Sequence, residues 1–166
     1  MTEPVVDRTR IFSHLTRTRF LHIEDSLERR KLRFFVGSFE SGHGASNTAY
    51  AFLDVDDARV VMSDLAWGKP INFISHKGGK DSSDAVIARL LKVQETGIHE
   101  SRRIWVEVHN GPGQELPEGA IKPSGKPSVE ISVPLIVFDA RKMGCACLAY
   151  LQAWDFSAFS FQRSAR

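Results

Sequence analysis

The residues of this chain best suited to chemistry are lysines and arginines set beside aromatic rings at the two-residue spacing of a strand. Arg29, Arg30, Lys31 and Arg33 cluster at the start of one stretch, and alternation puts Phe35 on the face of Arg33. On the next stretch Tyr50 and Phe52 share a face. Trp105 stands opposite the apolar stripe Ile104, Val106 and Val108, with Glu107 and His109 beside it. Residues 76–81, His-Lys-Gly-Gly-Lys-Asp, read as a flexible basic loop. Rings on a polar strand face can stack nucleobases, at about 1–3 kcal/mol per base. Cations beside them neutralise phosphates and make binding salt-dependent. The candidate nucleic-acid site is therefore Lys31, Arg33, Lys77, Lys80, Arg89 and Lys92 for phosphates, with Phe35, Tyr50 and Trp105 for bases. Each has a plainer use as well. Phe34, Phe35, Phe39 and Phe52 suit a core, Trp105 a subunit contact, and Arg29–Arg33 a solvated strand end.

Other chemistries find little support. There is no nucleophile elbow, no His-Glu-x-x-His pattern and no dinucleotide fingerprint, so no catalytic residues are expected. Asp54, Asp56 and Asp57 crowd a strand–helix junction, but no histidine cluster accompanies them, and no metal or cofactor is expected. Cys145 and Cys147 sit two apart, pointing about 200° away from each other on a helix. They read as two reduced, partly buried thiols. Net charge is +2 over 166 residues, too mild to identify a partner. No apolar run is long enough to span a membrane. Arg8, Arg10, Arg17 and Arg19 resemble an organelle transit peptide weakly, and Glu3 and Asp7 oppose that reading. The expected location is cytoplasmic or nucleoid-associated, with an organelle as the alternative.

These residues need elements to position them. Residues 1–19 read as an irregular N-terminal arm and 158–166 as a C-terminal tail. Strands are expected at 19–24, 31–40, 48–55, 71–75, 85–94, 103–109 and 128–137. The glycine- and proline-rich stretch 110–127 reads as a long excursion. Helices are expected over 56–67, with Ala58, Val61, Met62 and Leu65 on one side, and over 139–154, with Met143, Cys147, Tyr150 and Trp154 on one side.

The chain also repeats itself. Leu53-Asp54-Val55-Asp56-Asp57-Ala58-Arg59 matches Leu135-Ile136-Val137-Phe138-Asp139-Ala140-Arg141 as Leu-x-Val-x-Asp-Ala-Arg, at the same strand-to-helix junction. The shared Asp would cap the helix and suit its positive end. The expected fold is α+β: a duplicated strands-then-helix unit, with two antiparallel sheets and paired helices. One domain over 20–157 would divide into halves of about 20–83 and 84–157. Helices packed on one sheet face leave the other face open.

The order of segments resembles the Whirly family of single-stranded DNA-binding proteins. The likeness is carried by Val86–Gln94, Arg103–Asn110, Val129–Pro134 and the long helix after them. Upstream, Leu53–Gly68 is similar to the family's first helix, and Asn72–His76 to its Phe-Phe-His strand. The Lys-Gly-Lys-Ala motif of plant members is absent, and Arg29–Arg33 is the nearest basic strand start. The same duplicated architecture occurs in kinetoplastid mitochondrial RNA-binding proteins and in the PUR-alpha family. The resemblance implies two sheets, paired helices, a homo-oligomer of tetramer size, and strands of nucleic acid bound across the sheets with little sequence preference. DNA is the favoured partner. RNA, or a purely structural role in an assembly, is the alternative.

Overall fold

The structure is a computed structural model that describes residues 8–40 and 42–164. Residues 1–7 of the expected arm and 165–166 of the expected tail lie outside the described residues. Four strands come first: β1 (Arg10–Leu15), β2 (Arg19–Ser26), β3 (Lys31–Phe39) and β4 (Ala45–Asp54). They form an antiparallel sheet in the order β1-β2-β3-β4, and helix α1 (Val55–Ala66) follows directly. The pattern then recurs with β5 (Asn72–Lys80), β6 (Val86–Thr96), β7 (Arg103–Glu115), β8 (Ile121–Pro123), β9 (Val129–Ile136) and α2 (Val137–Ser164). The second sheet runs β5-β6-β7, with β9 on the far side of β7 and β8 pairing the end of β7. The fold is thus α+β, with two antiparallel sheets and two helices.

Alternation decides which residues are buried. Leu32, Phe34 and Val36 on β3 and Ala49, Ala51 and Leu53 on β4 turn inward together. Leu91 and Val93 do so in the second sheet, with Ile104, Val106 and Val108 of β7 and Ile131, Val133 and Leu135 of β9. The helices cover these faces with Ala58, Val61, Met62 and Leu65 from α1 and Met143, Cys147 and Leu151 from α2, making one continuous core. Among the described residues no helix is long and apolar enough to cross a membrane.

Several boundaries differ from the sequence reading. The arm is not irregular throughout, because Arg10–Leu15 pairs with β2 as an edge strand. The tail is not separate, because α2 continues to Ser164. A division at 83/84 would cut the β5–β6 hairpin; the two units meet instead at 67–71, where Gly68 takes φ +67° after the helix end. Residues 76–80 are not a loop but the second half of β5, paired from His76 opposite Leu90 to Lys80 opposite Val86. The stretch 110–127 extends β7 and returns as β8. Ile121 of β8 then lies over Gly78, where a Cβ would come within 2.5 Å of its side chain. Gly78 is there for close approach, not for a turn.

Cys147 is buried and Cys145 exposed, and burial pushes the Cys147 thiol up to about 12. A thiol held protonated and covered cannot attack a disulfide reagent. Titration of the native protein with such a reagent is expected to label Cys145 alone, and both thiols in denaturant. Rapid native labelling of Cys147 would contradict this packing.

Candidate nucleic-acid interface

The solvent face of the first sheet carries rings on adjacent strands. On β3, Phe35 lies between His22 of β2 and Tyr50 of β4 in register, and Arg33 lies between Glu24 and Phe52. The rings of Phe20 and His22 stack with centroids 4.8 Å apart. Phe20 also meets Phe35 at 5.4 Å and Phe39 at 6.4 Å, and covers Gly37. Tyr50 meets Phe52 edge-on at 5.7 Å. Phe20 and His22 are nearly covered, while Phe35, Phe39, Tyr50 and Phe52 keep partial exposure. Covering pushes the pKa of His22 down, aided by Arg10, so its imidazole stays neutral in this layer.

Arg33 lies across the layer. Its guanidinium sits 4.6 Å from the Phe35 ring centroid and 4.5 Å from that of Tyr50, within cation–π range. It also donates to Glu24 Oε2 at 2.6 Å. Arg89 reaches Tyr50 from the second sheet, 4.5 Å from its centroid, and its Nη2 donates to Tyr50 Oη at 2.9 Å.

The edge strand β4 lies against the second sheet here. Asn110 of β7 stands in for a neighbouring strand: its Oδ1 accepts from Tyr50 N at 3.0 Å, and its Nδ2 donates to Tyr50 O at 2.8 Å. Lower on β4, Asp54 accepts hydrogen bonds from both Lys31 and Lys77. Burial raises the Asp54 pKa, but the hydrogen bonds and charges of the two lysines outweigh it, so the carboxyl titrates below its ordinary range. Asp54 occupies the N-cap position of α1 without a side-chain cap bond, and Asp57 and Asp139 lie inside the first helical turns. The shared Asp57 and Asp139 therefore lie past the cap position expected of them, and Asp54, which holds it in α1, is drawn to the lysines instead.

Six of the nine candidate residues thus come together: Lys31, Arg33, Phe35, Tyr50, Lys77 and Arg89. Lys80 lies at the far end of β5, exposed and 3.4 Å from Asp84. Lys92 and Trp105 belong to the outer face of the second sheet. There Lys92 donates to Glu107 at 3.0 Å, His109 lies 2.5 Å from the same carboxylate, and Trp105 Nε1 donates to Thr96 at 2.9 Å. Burial raises the Glu107 pKa, but Lys92, His109 and Ser132 more than offset it, leaving it below its ordinary value. Lys92 is consequently paired within its own sheet. A polar cleft of about 310 Å³ opens elsewhere, between Arg19, Ser38 and Asn47 of the first sheet and Ser128–Ile131. Among the described residues no three His, Cys, Asp or Glu side chains gather to hold a metal ion.

Sequence reasoning missed Glu24, Asn110, Phe20 and His22 as parts of this site. A hairpin pairing Ser26 with Lys31 would have revealed Glu24, because it places that residue beside Arg33. Nothing local marks Asn110, whose role depends on how the two sheets meet. Comparison of the chain with family models, curated proteins and solved structures finds no match to any of them.

Proposed function

We propose that this protein binds single-stranded nucleic acid, DNA by preference, across the outer face of its first sheet and with little sequence specificity. The observation that carries the reading is the ring layer of Phe35, Phe39, Tyr50 and Phe52 with Arg33 laid over two of its members. Rings at strand spacing offer successive bases a stacking surface, since every base has a π-face. Lys31, Lys77 and Arg89 flank that layer and suit the phosphates of the same strand. The strands-then-helix order seen twice agrees with the resemblance to Whirly proteins and supports a role in transcription or DNA maintenance. No catalytic step belongs to this reading. Assembly into a homo-oligomer of tetramer size is part of it, and exposed Phe156 and Phe159 on the outer end of α2 give such an assembly apolar surface to bury.

The test is an anisotropy titration of a labelled oligothymidylate at two salt concentrations. Micromolar or tighter binding that weakens with salt is expected, as is a loss of about tenfold or more in Phe35→Ala. Absence of binding at low salt would sink the reading. Tighter binding of the matched ribo-oligonucleotide would transfer it to RNA.

A further inference from the structure

We propose that Lys31 and Lys77 form a seat for one phosphate group, and that Asp54 is an internal carboxylate filling that seat until a phosphate displaces it. The assignment of this phosphate to a nucleic-acid strand rests on the function proposed above; the seat itself does not.

Charge around the seat is unbalanced. Lys31 and Lys77 both turn to the single carboxylate of Asp54, while Arg33 and Arg89 lie over Tyr50, four residues along β4. Glu24 is committed to Arg33. Asp54 must then serve two lysines at once. Arg89 is the register partner of Lys77 on the neighbouring strand and so shares its face. It is 8% exposed and has no carboxylate within ion-pair distance among the described residues. Its Nε is buried without a hydrogen-bond partner, and its Nη1 lies beside Gly79, which puts no side chain over it. A nearly buried guanidinium with no anion of its own is costly, and an added anion relieves that cost.

The conduct of Asp54 points the same way. At the N-cap of a 12-residue helix an aspartate ordinarily bonds the free amides of the first turn. This one makes no such bond and is turned toward the two ammonium groups. Both lysines and Asp54 remain about one-third exposed, so an incoming oxyanion has access. A tetrahedral phosphate offers more acceptor oxygens than a carboxylate and can take both ammonium groups.

The test uses the full chain and two probes, inorganic phosphate followed by amide NMR shifts and an oligothymidylate followed by anisotropy. Asp54→Asn keeps a good N-cap residue and removes the competing charge. Phosphate affinity is expected to rise at least about fivefold, the effect of one charge at contact distance in a water-like surroundings. The shifts should centre on Lys31 and Lys77, and Lys31→Gln/Lys77→Gln in the Asp54→Asn background should abolish the gain. A folded Asp54→Asn protein with unchanged phosphate affinity overturns the seat. If Asp54→Asn does not fold, Lys77→Gln in the otherwise unaltered chain replaces it: weaker binding of both probes supports the seat, and unchanged binding overturns it. Oligothymidylate binding that ignores both substitutions removes the assignment of the seat to a nucleic-acid strand and leaves the proposed function standing. Phosphate binding that gains without any oligonucleotide binding keeps the seat, assigns it to free phosphate, and removes the proposed function.

Discussion

Gly144→Val is expected to cost about 3 kcal/mol of stability, the upper range for overpacking a close contact. A Cβ at Gly144 would stand 2.5 Å from the Met62 carbonyl oxygen and 2.6 Å from the Ala66 amide nitrogen. Both are backbone atoms of α1, so no side-chain rotation can make room, and the helices must separate. Helix propensity alone predicts the reverse sign, since glycine inside a helix is about 1 kcal/mol worse than alanine. The two effects are therefore separable by measurement. Urea unfolding should give a lower midpoint for Gly144→Ala and a still lower one for Gly144→Val. A Gly144→Ala protein as stable as the parent would mean that the helices do not cross this closely.

The repeat makes that crossing intelligible. Arg59 and Arg141 occupy equivalent positions in the two copies, and three residues further on Met62 and Gly144 are equivalent too. The two helices pack on each other where these two positions meet. The larger Met62 and the missing side chain of Gly144 let one helix approach where two methionines could not. The sequence reading, which stopped the repeat at Arg59 and Arg141, did not foresee this contact.

Other features were legible for simple reasons. The strand at 103–109 alternates cleanly and appears as expected within β7, and both helical stripes face the core. The errors have physical causes. β1 is an edge strand whose register shifts between Arg10 and Phe12, so the adjacent Ile11 and Phe12 both pack on the core and the alternation is broken. Gly78 and Gly79 imitate a loop because they answer to Ile121 and Arg89, which are distant in sequence. The cations were found, but their partners were not: Glu24 for Arg33, Asp54 for Lys31 and Lys77, and Glu107 for Lys92 are all cross-strand or inter-sheet pairs. A pattern along the chain reports which face a residue takes. It does not report what stands opposite until register is known.

Arg33→Ala should be the most damaging single change on the ring face, at about 3–5 kcal/mol. Glu24 is only 6% exposed, and its charge is held by one guanidinium at 2.6 Å. Removing Arg33 leaves that carboxylate covered and unpaired, and it also strips a cation from between Phe35 and Tyr50. Arg10 pairs with Glu24 in register on β1 but is itself exposed, so moving it inward would require desolvating a second charge. The double variant Glu24→Gln/Arg33→Met removes both charges and keeps the long side chain over the rings. It should recover most of the lost stability, because the cost lies in the orphaned carboxylate rather than in the missing attraction. A loss below about 1 kcal/mol in Arg33→Ala would show that Glu24 finds another partner. The recovered double variant then isolates function from folding. Its rings are intact and its stacked cation is gone, so any difference from the parent in oligonucleotide affinity is the contribution of the Arg33–Glu24 pair to the proposed binding.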